Sequence, residues 1–514
     1  MSTKFYIKLK KNTSFKTLGF ILAPIFFVFL WNADLDPNNP LVSKMAAIAS
    51  LMAIFWATEA IPLAATSLIP IVLFPVMGIM KDGSSIASTY FNNIIFLFIG
   101  GFIIALAMER WNLHKRIALF IIKNNGENPS TIVFGFMLAT LFLSMWISNT
   151  ATAVMMLPVA MAIILKIEDE FGSELSHKFS LSLLLGIAYA ASIGGAATLV
   201  GTPPNLVFAK IFKDLFPNAP SISFATWMFA TLPIVIIMLA FIWFLLVKVL
   251  FKTSKKITID QSIVKKEYKS LGKISYEEKT VAIVFLITAI LWITRVDINF
   301  GDFKLPGWRN LMPYPKSIND GTTAILMALL LFLIPVKNNK NYKTIIDASV
   351  FKDLPWAIII LFGGGFALAK GFQVSGLSDY IGNNLTNLEG THPIITILGV
   401  SSVMTFTTEF TSNTATTQMI IPVLASIAVG IKTNPLILII PATLSASFAF
   451  MMPVATPPNA VVFGSGRIRM IEMIKAGIII NIVGIIIITL IFYFVGMKFF
   501  DIDPSVIPDW ATQN

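Results

Sequence analysis

The sequence predicts an all-α polytopic membrane protein with an inverted-topology repeat: about eleven transmembrane helices, two re-entrant hairpins and two broken helices. Three observations carry that expectation. The 514 residues are 56% hydrophobic and 13% charged, with a mean hydropathy of +0.80, far too apolar for a soluble chain of this length. The polar run Ser148-Asn149-Thr150-Ala151-Thr152 returns as Ser412-Asn413-Thr414-Ala415-Thr416. Each copy is followed, roughly 40 to 50 residues on, by a second repeated run, Thr202-Pro203-Pro204-Asn205 and then Thr456-Pro457-Pro458-Asn459, which reads as one duplicated unit.

The formal charge of +11 would suggest nucleic acid in a soluble chain. Here the lysines sit in short loops between apolar runs, so the positive-inside rule accounts for them and no nucleic-acid partner is expected. The chain has no cysteine, which excludes disulfides, thiolate metal sites and cysteine catalysis. Its three histidines, His114, His177 and His392, cannot build a metal cluster.

In chain order, Lys4, Lys8, Lys10, Lys11 and Lys16 precede an apolar run from Leu18 to Trp31, read as the first span with the lysines in the cytoplasm. Spans near 42–59, 62–80 and 93–109 follow, and four crossings bring the basic cluster Arg110, His114, Lys115, Arg116 and Lys123 back inside. From about 131 to 165 the chain is apolar on both sides of the first Ser-Asn-Thr, with Lys123 before it and Lys166 after. A re-entrant hairpin satisfies that pattern. A helix over about 179–213 is predicted to break between Gly194-Gly195 and Pro203-Pro204, and a span from Trp227 to Leu250 closes the first repeat, 1–251. The linker 252–279 holds Lys252, Lys255, Lys256, Lys265, Lys266, Lys269 and Lys273 and is placed in the cytoplasm.

The second repeat, 280–514, has early spans near 280–294 and 320–336, a link with Lys337, Lys340 and Lys343, and a span from about Leu354. A second hairpin over about 392–429, a broken helix over about 436–463 and a last span from about Ala476 to Val495 complete it. The hairpins are expected to enter from opposite faces, with the N-terminus in the cytoplasm and the C-terminus outside. Such an arrangement is common in secondary transporters.

A hairpin tip and a broken helix both leave backbone groups unpaired, and lipid cannot satisfy them, so they must face protein or a watery cavity. Helix N-termini there offer N–H donors and a positive dipole end, which suits a carboxylate. Ser, Thr and Asn add donors for carboxylate oxygens and hard oxygen acceptors for Na+. No arginine or lysine lies in either polar run, so neutral donors plus bound cations would hold a dianion. The glycine runs Gly100-Gly101 and Gly363 to Gly365 are read as close helix packing. Glu409, three residues before Ser412, is read as a hydrogen-bond brace, because a free carboxylate would repel a dianion. Glu59, Glu109 and the histidines fall near span ends, where a solvated role is expected.

Together, Thr58-Glu59-Ala60-Ile61-Pro62, Met108-Glu109-Arg110-Trp111-Asn112-Leu113, both Ser-Asn-Thr runs, Ile193-Gly194-Gly195 with Gly201-Thr202-Pro203-Pro204-Asn205, and Met452-Pro453-Val454-Ala455-Thr456-Pro457-Pro458-Asn459-Ala460 resemble the divalent anion:sodium symporter family, most of all its bacterial sodium/dicarboxylate members. The resemblance implies a homodimer in the bacterial cytoplasmic membrane, with a scaffold from the early spans of both halves. It also implies a transport domain, containing the hairpins and broken helices, that moves as an elevator. By position, one Na+ would lie at Ser144, Ser148 and Asn149 with the backbone of Ala197, and a second at Thr408, Asn413 and Ala455. Substrate carboxylates would meet Ser148, Asn149, Thr150, Ser412, Asn413 and Thr414, with Thr202 and Pro457 nearby. Ala197 stands where many bacterial relatives have glycine, and Gln418 where an apolar residue is usual; these departures bear on the coupling ion.

The leading expectation is therefore a secondary transporter of C4 dicarboxylates such as succinate, malate or fumarate, coupled to Na+. The alternative within transport is a sodium-independent exchanger, for instance of 2-oxoglutarate against succinate, and the sequence leaves sulfate and citrate open as substrates. A passive anion channel would want a pore lined by charge rings, and an intramembrane enzyme a nucleophile with its base or a carboxylate dyad; the predicted spans show neither.

Overall fold

The computed structural model describes residues 3–124, 128–252, 262–300, 303–337, 343–384 and 389–512. Lys255, Lys256 and Lys340 fall outside that range, as do the side chains of Lys4, Lys8, Lys10 and Lys11. The chain is nearly all helical; among the described residues the only sheet is a two-stranded antiparallel ribbon, Ile298–Phe300 with Phe303–Leu305. An apolar chain has this preference because a helix satisfies its backbone within one segment.

Among the described residues, seven helices are long and apolar enough to cross a membrane, including Pro40–Thr58, Asn149–Phe171, Trp356–Ser375 and Met470–Phe499. Six more apolar stretches are shorter, including Phe15–Trp31, Pro129–Ser144, Pro393–Thr408 and Leu436–Ala446. The shortening has local causes. The span expected near 62–80 is two helices, Leu63–Thr66 and Ile69–Met77, the second starting with Pro70 in its first turn, where a missing N–H is harmless.

The two hairpin segments are helix pairs, Pro129–Ser144 with Asn149–Phe171 and Pro393–Thr408 with Asn413–Gly430. Each broken helix is likewise a pair, Ser173–Ala196 with Pro203–Leu215 and Leu436–Ala446 with Pro457–Gly464. Residues 179–196 are entirely buried, and their helix contacts both arms of the first hairpin and Pro457–Gly464 from the other half. The second half thus helps enclose the first half's central helix. A separate apolar cluster, with Met45, Met52, Trp56, Phe74, Leu368 and Phe372, joins Pro40–Thr58 to Trp356–Ser375.

Among the described residues few charges are buried, and those that are have partners. Arg295 is 5% exposed and Asp320 6%; they pair at 2.6 and 3.1 Å, Asp320 also accepts from the Phe224 N–H, and Arg295 donates to the Ile318 carbonyl. Arg116 donates two bonds to Glu278 and two more to the carbonyls of Leu271 and Gly272, tying the end of the linker to Leu113–Lys123.

Candidate substrate and ion site

The breaks follow from chemistry that their own residues supply. Two consecutive prolines remove two N–H donors and hold the preceding residue extended, so Thr202 (φ −145°, ψ 143°) and Thr456 (φ −137°, ψ 147°) end the gap and a new helix starts at Pro203 or Pro457. At the tips, Ser148 and Ser412 take extended conformations ahead of Asn149 and Asn413. Ser148 accepts from the Ala151 N–H, and Thr456 does the same for Asn459. Ser412 and Thr202 make no such capping bond, so their hydroxyls are not committed to a cap.

All four new helices begin at one place. A cavity of about 500 Å3 is lined by Ser148, Asn149 and Thr150 from the first tip and by Ser412, Asn413 and Thr414 from the second. Thr202 and Pro203 from one break, and Ala455, Thr456 and Pro457 from the other, complete its polar rim. Phe98, Phe102, Trp146, Phe410 and Val454 form its apolar walls. Each of the four helix N-termini carries about half a positive charge, roughly two in all. Among the described residues lining the cavity no lysine or arginine occurs, and the only ionisable one is Glu59. That residue, expected to be solvated near a span end, is exposed and also lines the cavity.

Ser144, Ala197 and Thr408, three of the four positions expected to hold sodium but not substrate, do not line the cavity but lie fully buried behind it. The Ser144 hydroxyl lies 2.5 Å from Asn149 Oδ1 and 2.7 Å from the Ala191 carbonyl oxygen. In the second half, the Thr408 hydroxyl lies 2.6 Å from Asn413 Oδ1 and 3.0 Å from the Ala446 carbonyl oxygen. One hydroxyl hydrogen cannot serve two acceptors, so in each half three oxygens crowd around a single proton. Neutral hard oxygens of this kind fit Na+. Among the described residues no cluster of three His, Asp or Glu side chains could hold a metal, so a cation here would rely on such neutral oxygens.

The two carbonyl positions differ more than sequence comparison implies. Ala197 is fully buried, with the Thr231 hydroxyl 3.1 Å from its oxygen, whereas Ala455 lines the cavity. Asn205 and Asn459 make the correspondence explicit: Asn205 donates to the carbonyls of Gly195 and Thr198, Asn459 to those of Ala449 and Met452. Aligned on these bonds, Ala197 stands opposite Met451, and Ala455 opposite Gly201.

Several contributors escaped sequence reasoning. Gly195 is the floor under Asn149: a Cβ added there would come within 2.4 Å of Asn149 Oδ1. Ala191 and Ala446 act through their carbonyls, and nothing in an alanine announces that. Glu409, expected to be a brace, is fully buried and accepts from the N–H groups of Phe450, Met451 and Met452 at 2.7–3.0 Å and from the Asn481 amide at 2.7 Å. Its two oxygens thus meet four donors. Gln418 points away from the cavity, lying against Gly365 and donating to the Leu361 carbonyl at 2.9 Å.

Residues 11–500 match the family model described as the sodium:sulfate symporter transmembrane region. A sodium-dependent dicarboxylate transporter, SdcS, of Staphylococcus saprophyticus is 44% identical over 510 residues, covering 97% of this chain and 95% of the relative. Its Staphylococcus aureus counterpart is 44% identical over 503 residues, covering 96% and 94%. Among solved structures, Neisseria gonorrhoeae MtrF, described as one of a class of antimetabolite efflux pumps, aligns with TM-score 0.56 at 13% identity over 91% of this chain and 97% of its own. The Alcanivorax borkumensis YdaH transporter aligns with TM-score 0.52 at 10% identity over 88% and 98%. Those two likenesses concern the fold alone. With a family model spanning nearly the whole sequence and near-full-length relatives at 44% identity, this multi-pass membrane transporter belongs to the sodium:sulfate symporter family, the divalent anion:sodium symporters.

Proposed function

We propose that the protein is a secondary active transporter that moves a C4 dicarboxylate such as succinate, malate or fumarate together with Na+. The observation that carries this reading is the meeting of four helix N-termini, about two positive charges' worth, around one cavity with no basic side chain. A site of that kind balances a dianion without a fixed cation, and the likeness to the staphylococcal sodium-dependent dicarboxylate transporters supports the choice of dicarboxylate and of sodium.

In this reading Ser148, Asn149 and Thr150 receive one carboxylate, and Ser412, Asn413 and Thr414 the other, with Thr202 and Pro457 closing the sides. Two Na+ positions complete it. One uses Ser144, Ser148 and Asn149 with the Ala197 carbonyl, and the other uses Thr408, Asn413 and the Ala455 carbonyl. Because Asn149 and Asn413 belong to both sets, ion and substrate occupancy are linked: each amide oriented by a cation presents its other face to the carboxylate. Departure of the ion then loosens the substrate, whereas a buried arginine pair would hold it. The transport domain, hairpins and broken helices together, carries this load across as an elevator against a scaffold from the early spans of both repeats. The protein works as a homodimer with its N-terminus in the cytoplasm and its C-terminus outside.

Purified protein in liposomes tests the reading. Labelled succinate should accumulate in empty vesicles under an inward Na+ gradient and saturate with concentration. Uptake only into vesicles preloaded with dicarboxylate would replace symport with exchange, and non-saturating conductance would mean a channel.

A further inference from the structure

We propose that Asn205 and Asn459, the last residues of the two Thr-Pro-Pro-Asn runs, are positioning residues that set cation affinity by holding the helix breaks in shape, without touching substrate. The inference deepens the sodium-coupled reading above and rests on it. Both side chains are fully buried, and neither lines the cavity. The Asn205 amide nitrogen lies 2.7 Å from the Thr198 carbonyl oxygen and 3.2 and 3.3 Å from those of Gly195 and Ala196. The Asn459 amide nitrogen lies 3.1 Å from the oxygens of both Ala449 and Met452. In each half, one side chain therefore gathers carbonyls of the break: those of Gly195 and Ala196 at the end of Ser173–Ala196 and of Thr198 in the gap, and in the second half those of Ala449 and Met452 within the gap.

The orientation of both amides is fixed by chemistry. Turning either one over would place its oxygen against two or three carbonyl oxygens, so nitrogen must face the break. Each Oδ1 is consequently left buried and without a partner, and the same orphan recurs at the same place in both repeats. A buried acceptor with no donor is costly unless the other face of the amide is worth more. The carbonyls that are held explain the worth. Gly195, Ala196 and Thr198 surround Ala197, and Gly195 is the surface on which Asn149 rests. Fixing the Gly195 carbonyl thus fixes the floor beneath the oxygens of Asn149, Ser144 and Ala191. In the second half, Asn459 holds the carbonyls while Glu409 holds the neighbouring N–H groups of Phe450 to Met452, so the approach to Ala455 is clamped from two sides.

Other residue types fail for stated reasons. Alanine would strand the carbonyls, and aspartate, which keeps the volume, would oppose them with a further oxygen. Two readouts separate a role in cation binding from a general one. The first is the Na+ concentration giving half-maximal succinate uptake, set against the succinate KM at saturating Na+. The second is the thermal stabilisation by NaCl over KCl of detergent-solubilised protein without substrate. For Asn205→Ala and Asn459→Ala the half-maximal Na+ should rise by about fivefold or more, the scale of one lost buried hydrogen bond. The NaCl stabilisation should shrink, while succinate KM at saturating Na+ stays within about twofold. If an alanine variant does not reach the membrane, Asn205→Asp or Asn459→Asp carries the test, with the same direction expected. Unchanged Na+ dependence and stabilisation in both, with a sodium-dependent wild type, would overturn the inference alone. A wild type indifferent to Na+ would overturn the parent reading and this one with it.

Discussion

Replacing Gly195 with alanine adds one methyl group at the most confined point of the site. The new Cβ would lie 2.4 Å from Asn149 Oδ1, 2.8 Å from Nδ2 and 3.0 Å from Cγ, with no flexible end to swing aside because Asn149 is itself held by Ser144. An unstrained non-bonded contact needs roughly 3.5 Å, so the tip must retreat by about 1 Å. Overpacking of this size costs about 1–3 kcal/mol. If that falls on the cation-bound form, it weakens Na+ binding by about 5- to 150-fold. The assay is Na+-driven succinate uptake in proteoliposomes at a series of Na+ concentrations, alongside thermal stabilisation by NaCl. Gly399→Ala is the control, since nothing lies within 4 Å of a Cβ there. A Gly195→Ala variant with wild-type Na+ dependence would refute the claim that Asn149 must rest on this floor.

Four further outcomes follow from the same contacts. Glu409→Gln turns one acceptor into a donor facing backbone N–H groups and should lower stability by about 1–3 kcal/mol, read as a drop in melting temperature with loss of uptake. Breaking the buried pair by Arg295→Ala should cost about 3–5 kcal/mol, whereas Arg295→Met with Asp320→Leu should recover part of it; thermal unfolding of both proteins in detergent decides. Val454→Arg, which places a fixed cation on the cavity wall, should tighten succinate binding and slow turnover, visible as a lower KM with a lower kcat. Gln418→Leu should leave Na+ dependence within about twofold of wild type, because that side chain serves the Leu361 carbonyl rather than the cavity; a change of coupling ion would contradict this.

The elements were legible because their signals are local. Polar tips in apolar sequence, prolines at a break and lysines between spans all declare themselves within a few residues of chain. The expected hairpin near 131–165 is the pair Pro129–Ser144 and Asn149–Phe171, and the one near 392–429 is Pro393–Thr408 and Asn413–Gly430. Span length was less legible. Pro70 splits an apparently continuous apolar run, and hydropathy does not register which carbonyl loses its partner.

What the amino-acid order settled on its own was the inventory: a duplicated set of tips and breaks, rich in hydroxyls and amides and free of fixed cations, in a chain that water cannot solvate. Folding alone chose the partners. It set Asn149 on Gly195, Glu409 beneath Phe450 to Met452, and Asn205 and Asn459 under carbonyls whose own residues say nothing. A side chain's need for a partner is written in its chemistry, but the atom that answers it lies up to ten residues away for Asn205 and Asn459 and 41 away for Glu409, and distance in space is a property of the packed whole.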